Sequence, residues 1–196
     1  MKRKILSFGL CVFAIISAGC WQKSVYPFYK DSDVKFEPAL LGIWGEPDKK
    51  PEDAQIWKIT RGAGASAYQI NVHSGETSLD YDAHLFKLDE NRFLDMYSRN
   101  RTSSDVPAHH LVRVRKLGAT FEYQSLSLEG VKKWLEAHPK EIAFVAMPDP
   151  EHPDDKEKTE LVLTAGTEDL QKFVRNHLDA PEFYDDRIEL KKSGEK

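Results

Sequence analysis

The chain has 196 residues, and its 28 Lys+Arg against 32 Asp+Glu leave a net charge of −4. That balance excludes the basic face that nucleic-acid phosphates require and the polybasic surface that anionic lipids attract. Its two cysteines both fall in the first twenty residues, so the remainder holds no disulfide scaffold, no cysteine metal site and no thiol nucleophile. The length suits a single domain with a real core.

In chain order, the first element is a three-part N-terminus. Met1-Lys2-Arg3-Lys4 is cationic, Ile5 to Ile16 is apolar, and Ser17-Ala18-Gly19-Cys20 is small and ends in cysteine. A cationic end stays cytoplasmic while an apolar run enters the export channel. This run is about 12 residues, short of the roughly 20 that span a bilayer core as a helix. Residues 1–19 therefore read as a signal peptide. Ser17-Ala18-Gly19-Cys20 resembles the bacterial lipobox, in which the thiol receives a diacylglycerol group before cleavage in front of it. The departure is Ser17, where that family carries an aliphatic residue. The resemblance implies lipidation at Cys20 and a membrane partner reached through acyl chains. With Trp21 rather than Asp after the cysteine, it implies the periplasmic face of the outer membrane.

Residues 20–38 read as the lipidated cysteine and a tether, because Trp21 to Glu37 mixes aromatic, charged and proline residues without a sustained period. Strands dominate from there. Leu40 to Glu46 and Gln55 to Arg61 come first. Ala67 to His73 then puts Tyr68, Ile70 and Val72 on one face and Gln69, Asn71 and His73 on the other. After a turn at Ser74-Gly75, Leu79, Tyr81, Ala83 and Leu85 continue the apolar face. Arg92 to Arg99, Leu111 to Leu117 and Thr120 to Ser127 follow. So many consecutive strands must close or pair with a second sheet to hide their edges.

Two helices and short strands complete the chain. Leu128 to His138 carries a Val131–Trp134–Leu135 face, with Ser127 as N-cap and Pro139 as stop. Thr167 reads as the cap of a second helix lined by Leu170, Phe173, Val174 and Leu178. Glu141 to Met147, Glu160 to Thr164 and Asp186 to Leu190 read as strands. Pro148 to Lys158 reads as an acidic loop, and 191–196 as a polar tail. Residues 39–190 thus form one α+β domain of mostly antiparallel β structure, a barrel or meander sheet with two short helices. The expected inward set is Trp44, Trp57, Tyr68, Ile70, Val72, Tyr81, Leu85, Val112 and Val114, lining either a ligand cavity or a filled core.

Leu41-Gly42-Ile43-Trp44 resembles the Gly-x-Trp that opens the first strand of lipocalins and related calycin barrels, where the tryptophan closes the barrel floor. The resemblance covers Gly42 and Trp44. It implies a lipocalin-like barrel, a small apolar ligand and an arginine packed on the tryptophan, for which Arg187 is the candidate.

Three groups invite chemistry. Asp80, Asp82 and His84 share a strand face, but alternate residues stand about 7 Å apart, too far for one ion without a neighbour. His109 and His110 are adjacent on a strand and point to opposite faces. His110 joins Val112 and Val114, and His109 faces water with Arg113 and Arg115. A triad of Ser103 or Ser104 with His109 and Asp105 can be written, although no strained nucleophile turn marks either serine. The sequence therefore supports a non-enzymatic envelope domain without cofactor that binds a small ligand. The alternatives are an accessory protein acting through contact with an envelope partner and a hydrolase using His109 or His110.

Overall fold

Alternating apolar and polar residues produce, in the computed structural model, a run of antiparallel strands closed on itself. The structure describes residues 21–50, 54–99, 108–149, 151–155 and 158–193, so residues 1–19, read above as a signal peptide, and Cys20, Ser103, Ser104 and Asp105 lie outside it. The strands are β1 (Lys23–Ser24), β2 (Gly42–Gly45), β3 (Gln55–Arg61), β4 (Ala67–Ser74), β5 (Thr77–Leu88), β6 (Asn91–Ser98), β7 (His109–Leu117), β8 (Thr120–Ser125), β9 (Phe144–Met147), β10 (Glu160–Leu163) and β11 (Ile188–Lys192). Helix α1 spans Leu128–Ala137 and α2 spans Thr167–Asn176.

Eight strands, β2 to β8 and β11, close an antiparallel barrel in which β6 pairs with β7 and β11 seals the gap between β8 and β2. The fold is the expected lipocalin-like α+β barrel. The closing strand runs to Lys192, so the expected polar tail begins inside the sheet. Sharp hairpins set the register. β4 and β5 join through Gly75, whose φ of +57° suits a two-residue turn, and Asp89 takes φ +54° between β5 and β6.

Each strand sends alternate residues inward. Every member of the expected inward set is buried in one cluster, joined by Leu94, Met96, Phe121, Tyr123 and Leu190. Trp44 is paired with Trp57 across β2–β3, stands edge-on to Phe121, and donates its indole N–H to the Leu40 carbonyl at 2.8 Å. The cation over its ring is Lys192, at 5.2 Å from the centroid. Arg187, the expected partner, is instead exposed and pairs with Glu122. Gly42 is explained by its backbone: its φ is +133°, a conformation that residues with a Cβ rarely adopt.

The chain between β8 and β11 builds a second core outside the barrel. Val131 and Leu135 of α1, Leu170, Phe173 and Val174 of α2, and Leu161 and Leu163 of β10 pack on the outward Phe86, Leu88, Phe93 and Leu111. Ser127 caps α1 as expected, accepting from Gly130 N. Thr167 does not cap α2. Gly166 holds that position, while the Thr167 hydroxyl donates to the Pro27 carbonyl. This outer core also covers part of the face of β7 expected in water: Arg113 is buried, donating to Leu178 O and Asn91 Oδ1, while Arg115 stays exposed as expected.

The expected tether is built into the fold as a strap. Lys23 and Ser24 form β1, parallel to β10 and antiparallel to the start of β7. Phe28 is fully buried in the outer core. Val34 bridges Phe86, and Phe36 stacks on Tyr68 at 5.0 Å. Neighbouring residues in this stretch serve different purposes, one packing, the next pairing as strand, the next offering backbone to a side chain. That is why it shows no period.

Candidate functional site

The strap closes both ends of the barrel and so defines the sites that matter. At the end holding the start of β3, Trp21 lies against Trp57, Tyr81 and His110, with ring centroids 6.4, 6.2 and 5.9 Å away. At the other end of β3, Phe36 lies beneath Arg61, whose guanidinium is 4.0 Å from the ring centroid. There Tyr68 OH accepts from Glu37 N at 2.7 Å.

Beside Trp21 remains a space of about 30 Å³, bordered by Gln55, Val72, Ser74, Thr77, Leu79 and Tyr81. That holds about one water molecule. Below it the interior is closed by aromatic rings, and the Tyr123 hydroxyl donates to Gln55 Oε1. Among the described residues five buried polar side-chain atoms lack a partner, and two of them are Trp57 Nε1, near Tyr123 but outside hydrogen-bond geometry, and His110 Nδ1. His110 is 5% exposed, with the Gln22 backbone as its hydrogen-bonding neighbour.

Burial, and then Lys23, push the His110 pKa down from 6.5 to about 4. Between those values an unfolded chain binds a proton that the folded protein refuses, so stability falls as pH falls through that range. With a full slope of about 1.36 kcal/mol per pH unit and the unfolded histidine half protonated at pH 6.5, the loss from pH 6.5 to 5 is about 1.6 kcal/mol. Urea unfolding of wild type and His110→Phe at both pH values should show a smaller loss in the variant by about that amount. Equal losses would remove His110 as their source.

The second site lies on the outer wall, where the sheet brings together residues scattered in sequence. Asp95 is 1% exposed and opposes His84 on β5 and Leu111 on β7. One carboxylate oxygen is 2.6 Å from His109 Nδ1, and the other accepts from Phe28 N at 2.8 Å. Tyr29 covers His84 at 4.6 Å between centroids, and burial lowers the His84 pKa. Tyr97 lies against His109 at 4.9 Å. Asp95 escaped the sequence reading; a lone acid between Leu94 and Met96 on a strand was the available signal.

No family model, curated protein or solved structure matches the chain. Geometry alone therefore ranks the candidates. His109 and His110 separate as expected, one on the outer wall and one inside. Asp80, Asp82 and His84 are not drawn to a common point. Asp80 accepts from Asn71, Asp82 lies 3.8 Å from Arg99, and His84 sits under Tyr29. The Asp95–His109 pair resembles half of a catalytic triad, but its second carboxylate oxygen is committed to Phe28 N, and it fastens the strap to the barrel. A larger opening, a groove of about 900 Å³, runs along α1 and is bordered by Lys132, Lys133, Glu136, Asp149, Lys158 and Glu160.

Proposed function

We propose that the protein is a lipid-anchored component of the cell envelope, on the periplasmic face of the outer membrane. Its barrel performs no chemistry and serves as a rigid body for contact with another envelope protein. The supporting observation is how little space lies beside Trp21 at the barrel mouth among the described residues. A space of about 30 Å³ is far below the roughly 300–1,000 Å³ of ligand pockets. The mixed-charge groove along α1 is the contact face this reading favours, since it combines relief with Lys132, Lys133 and Asp149. Native mass spectrometry of the domain from Trp21 onward should give a bare monomer mass. A stoichiometric small-molecule adduct, lost on denaturation, would overturn this reading.

A carrier for a small apolar ligand is the second reading, favoured by the unsatisfied His110 Nδ1 and Trp57 Nε1 beneath Trp21. Entry then requires Trp21 to leave. Trp21→Ala should admit an environment-sensitive naphthalene dye that the wild type excludes, read as a rise in emission. Equal emission from both proteins would dismiss Trp21 as the stopper.

A further inference from the structure

We infer that the exposed strand β9 of the small sheet β1–β10–β9, with the segment that follows β1, rests against the lipid bilayer and fixes the orientation of the barrel on it. The inference rests on the proposed acylation of Cys20 and adds the surface that meets the membrane.

The chain leaves no slack between anchor and fold. Trp21 packs at the barrel mouth and bridges Ser127, and Gln22 is fully buried, its amide donating to Leu161 O at 2.7 Å. Trp21 follows Cys20 directly in the chain, so an acyl anchor there would join the fold one residue before a packed side chain. The domain cannot swing away from the bilayer as a tethered body would. Whatever surface surrounds Trp21 is pressed towards the headgroups.

That surface is where the exposed apolar residues gather. Five large hydrophobic side chains are exposed among the described residues, and four of them, Val25, Tyr26, Val145 and Met147, belong to β9 or directly follow β1. The fifth, Ile43, stands alone on β2, as single exposed residues ordinarily do. The register puts Lys23, Val162 and Val145 side by side, with Met147 beside Glu160; Val162 is itself buried, so the exposed apolar residues of this sheet are Val145 and Met147 on β9. Neighbouring strands are about 4.8 Å apart, which sets β9 about 10 Å from the segment leading to the anchor. Alternation turns Val145 and Met147 away from the helices, while Phe144 faces the outer core. Charge on this face is self-compensated, Lys23 Nζ lying 2.6 Å from Glu160. The loop after Met147 holds Asp149, Glu151, Asp154 and Asp155, which anionic headgroups would repel. Contact is therefore apolar, to zwitterionic lipid, with Tyr26 at headgroup depth.

The test uses the full lipidated chain in phosphatidylcholine vesicles containing brominated acyl chains. A fluorophore is attached at Val145→Cys or, as control, at the exposed Lys58→Cys on β3. The expected result is a blue shift and loss of most emission at position 145, with neither at position 58. If the protein floats with the vesicles and neither label is quenched, the anchor stands and the docked face is overturned. If mass spectrometry finds Cys20 without acyl chains, the anchor reading fails and the docked face with it. A blue shift at 145 that needs no vesicles and grows with protein concentration would assign the face to a second copy instead. The exposed pair Val145→Asp with Met147→Asp, labelled at Tyr26→Cys, should lose quenching at position 26 while still floating. Retained quenching there would overturn the docking.

Discussion

Replacing Trp44 with alanine is expected to lower the free energy of unfolding by about 3–5 kcal/mol, the cost of emptying a large aromatic site in a core. The indole is fully buried between Trp57 and Phe121, so neighbouring rings cannot collapse into the space without leaving their own rotamers. Its removal also leaves the Leu40 carbonyl without a donor at the point where the strap enters the barrel. Trp44→Phe keeps much of the volume and should cost less, separating volume from the hydrogen bond. Urea unfolding followed by circular dichroism measures both. An unchanged midpoint for Trp44→Ala would show that the first strand does not hold the barrel shut.

Asp95→Ala is expected to cost about 3 kcal/mol, with an effect concentrated in the strap. The carboxylate serves the Phe28 amide and His109 together, and alanine would leave both without that partner. Around this point Thr167 and Gln171 of α2 hold the carbonyls of Pro27 and Phe28, so the strap has several fastenings and Asp95 is the one on the barrel side. Amide exchange should accelerate at Phe28 and its neighbours more than in β3 or β4. Asp95→Asn retains an acceptor and should fall between alanine and wild type. Uniform acceleration through the whole barrel would mean that Asp95 supports the sheet rather than the strap.

The barrel was legible because its information is local. Strict alternation through Tyr68, Ile70 and Val72 and through Leu79, Tyr81 and Leu85 names the inward face without knowledge of strand partners, and those side chains are buried together. The helix of α1 was equally legible, from Ser127 through Val131 to Leu135. Where the reading differed from the structure, the cause was a distant partner. Thr167 has the chemistry of a cap, but Pro27 claims its hydroxyl from 140 residues away. Arg113 belongs by pattern to a wet face, and the turn after α2 takes its guanidinium through the Leu178 carbonyl. Lys192 looked like part of a frayed tail, yet it lies over the Trp44 ring.

By itself the sequence determined the cationic and apolar pattern of the N-terminus, ten of the eleven strands and which of their residues turn inward, since these follow from charge, length and the two-residue period of a strand. Only the tertiary structure decided that residues 21–38 are a strap rather than a tether. It also decided that the inward side chains share one buried cluster, and that Asp95 meets His109 and Phe28. Those outcomes depend on contacts between segments far apart in the chain, where volumes and hydrogen-bonding groups must match in space and leave no periodic trace along the sequence.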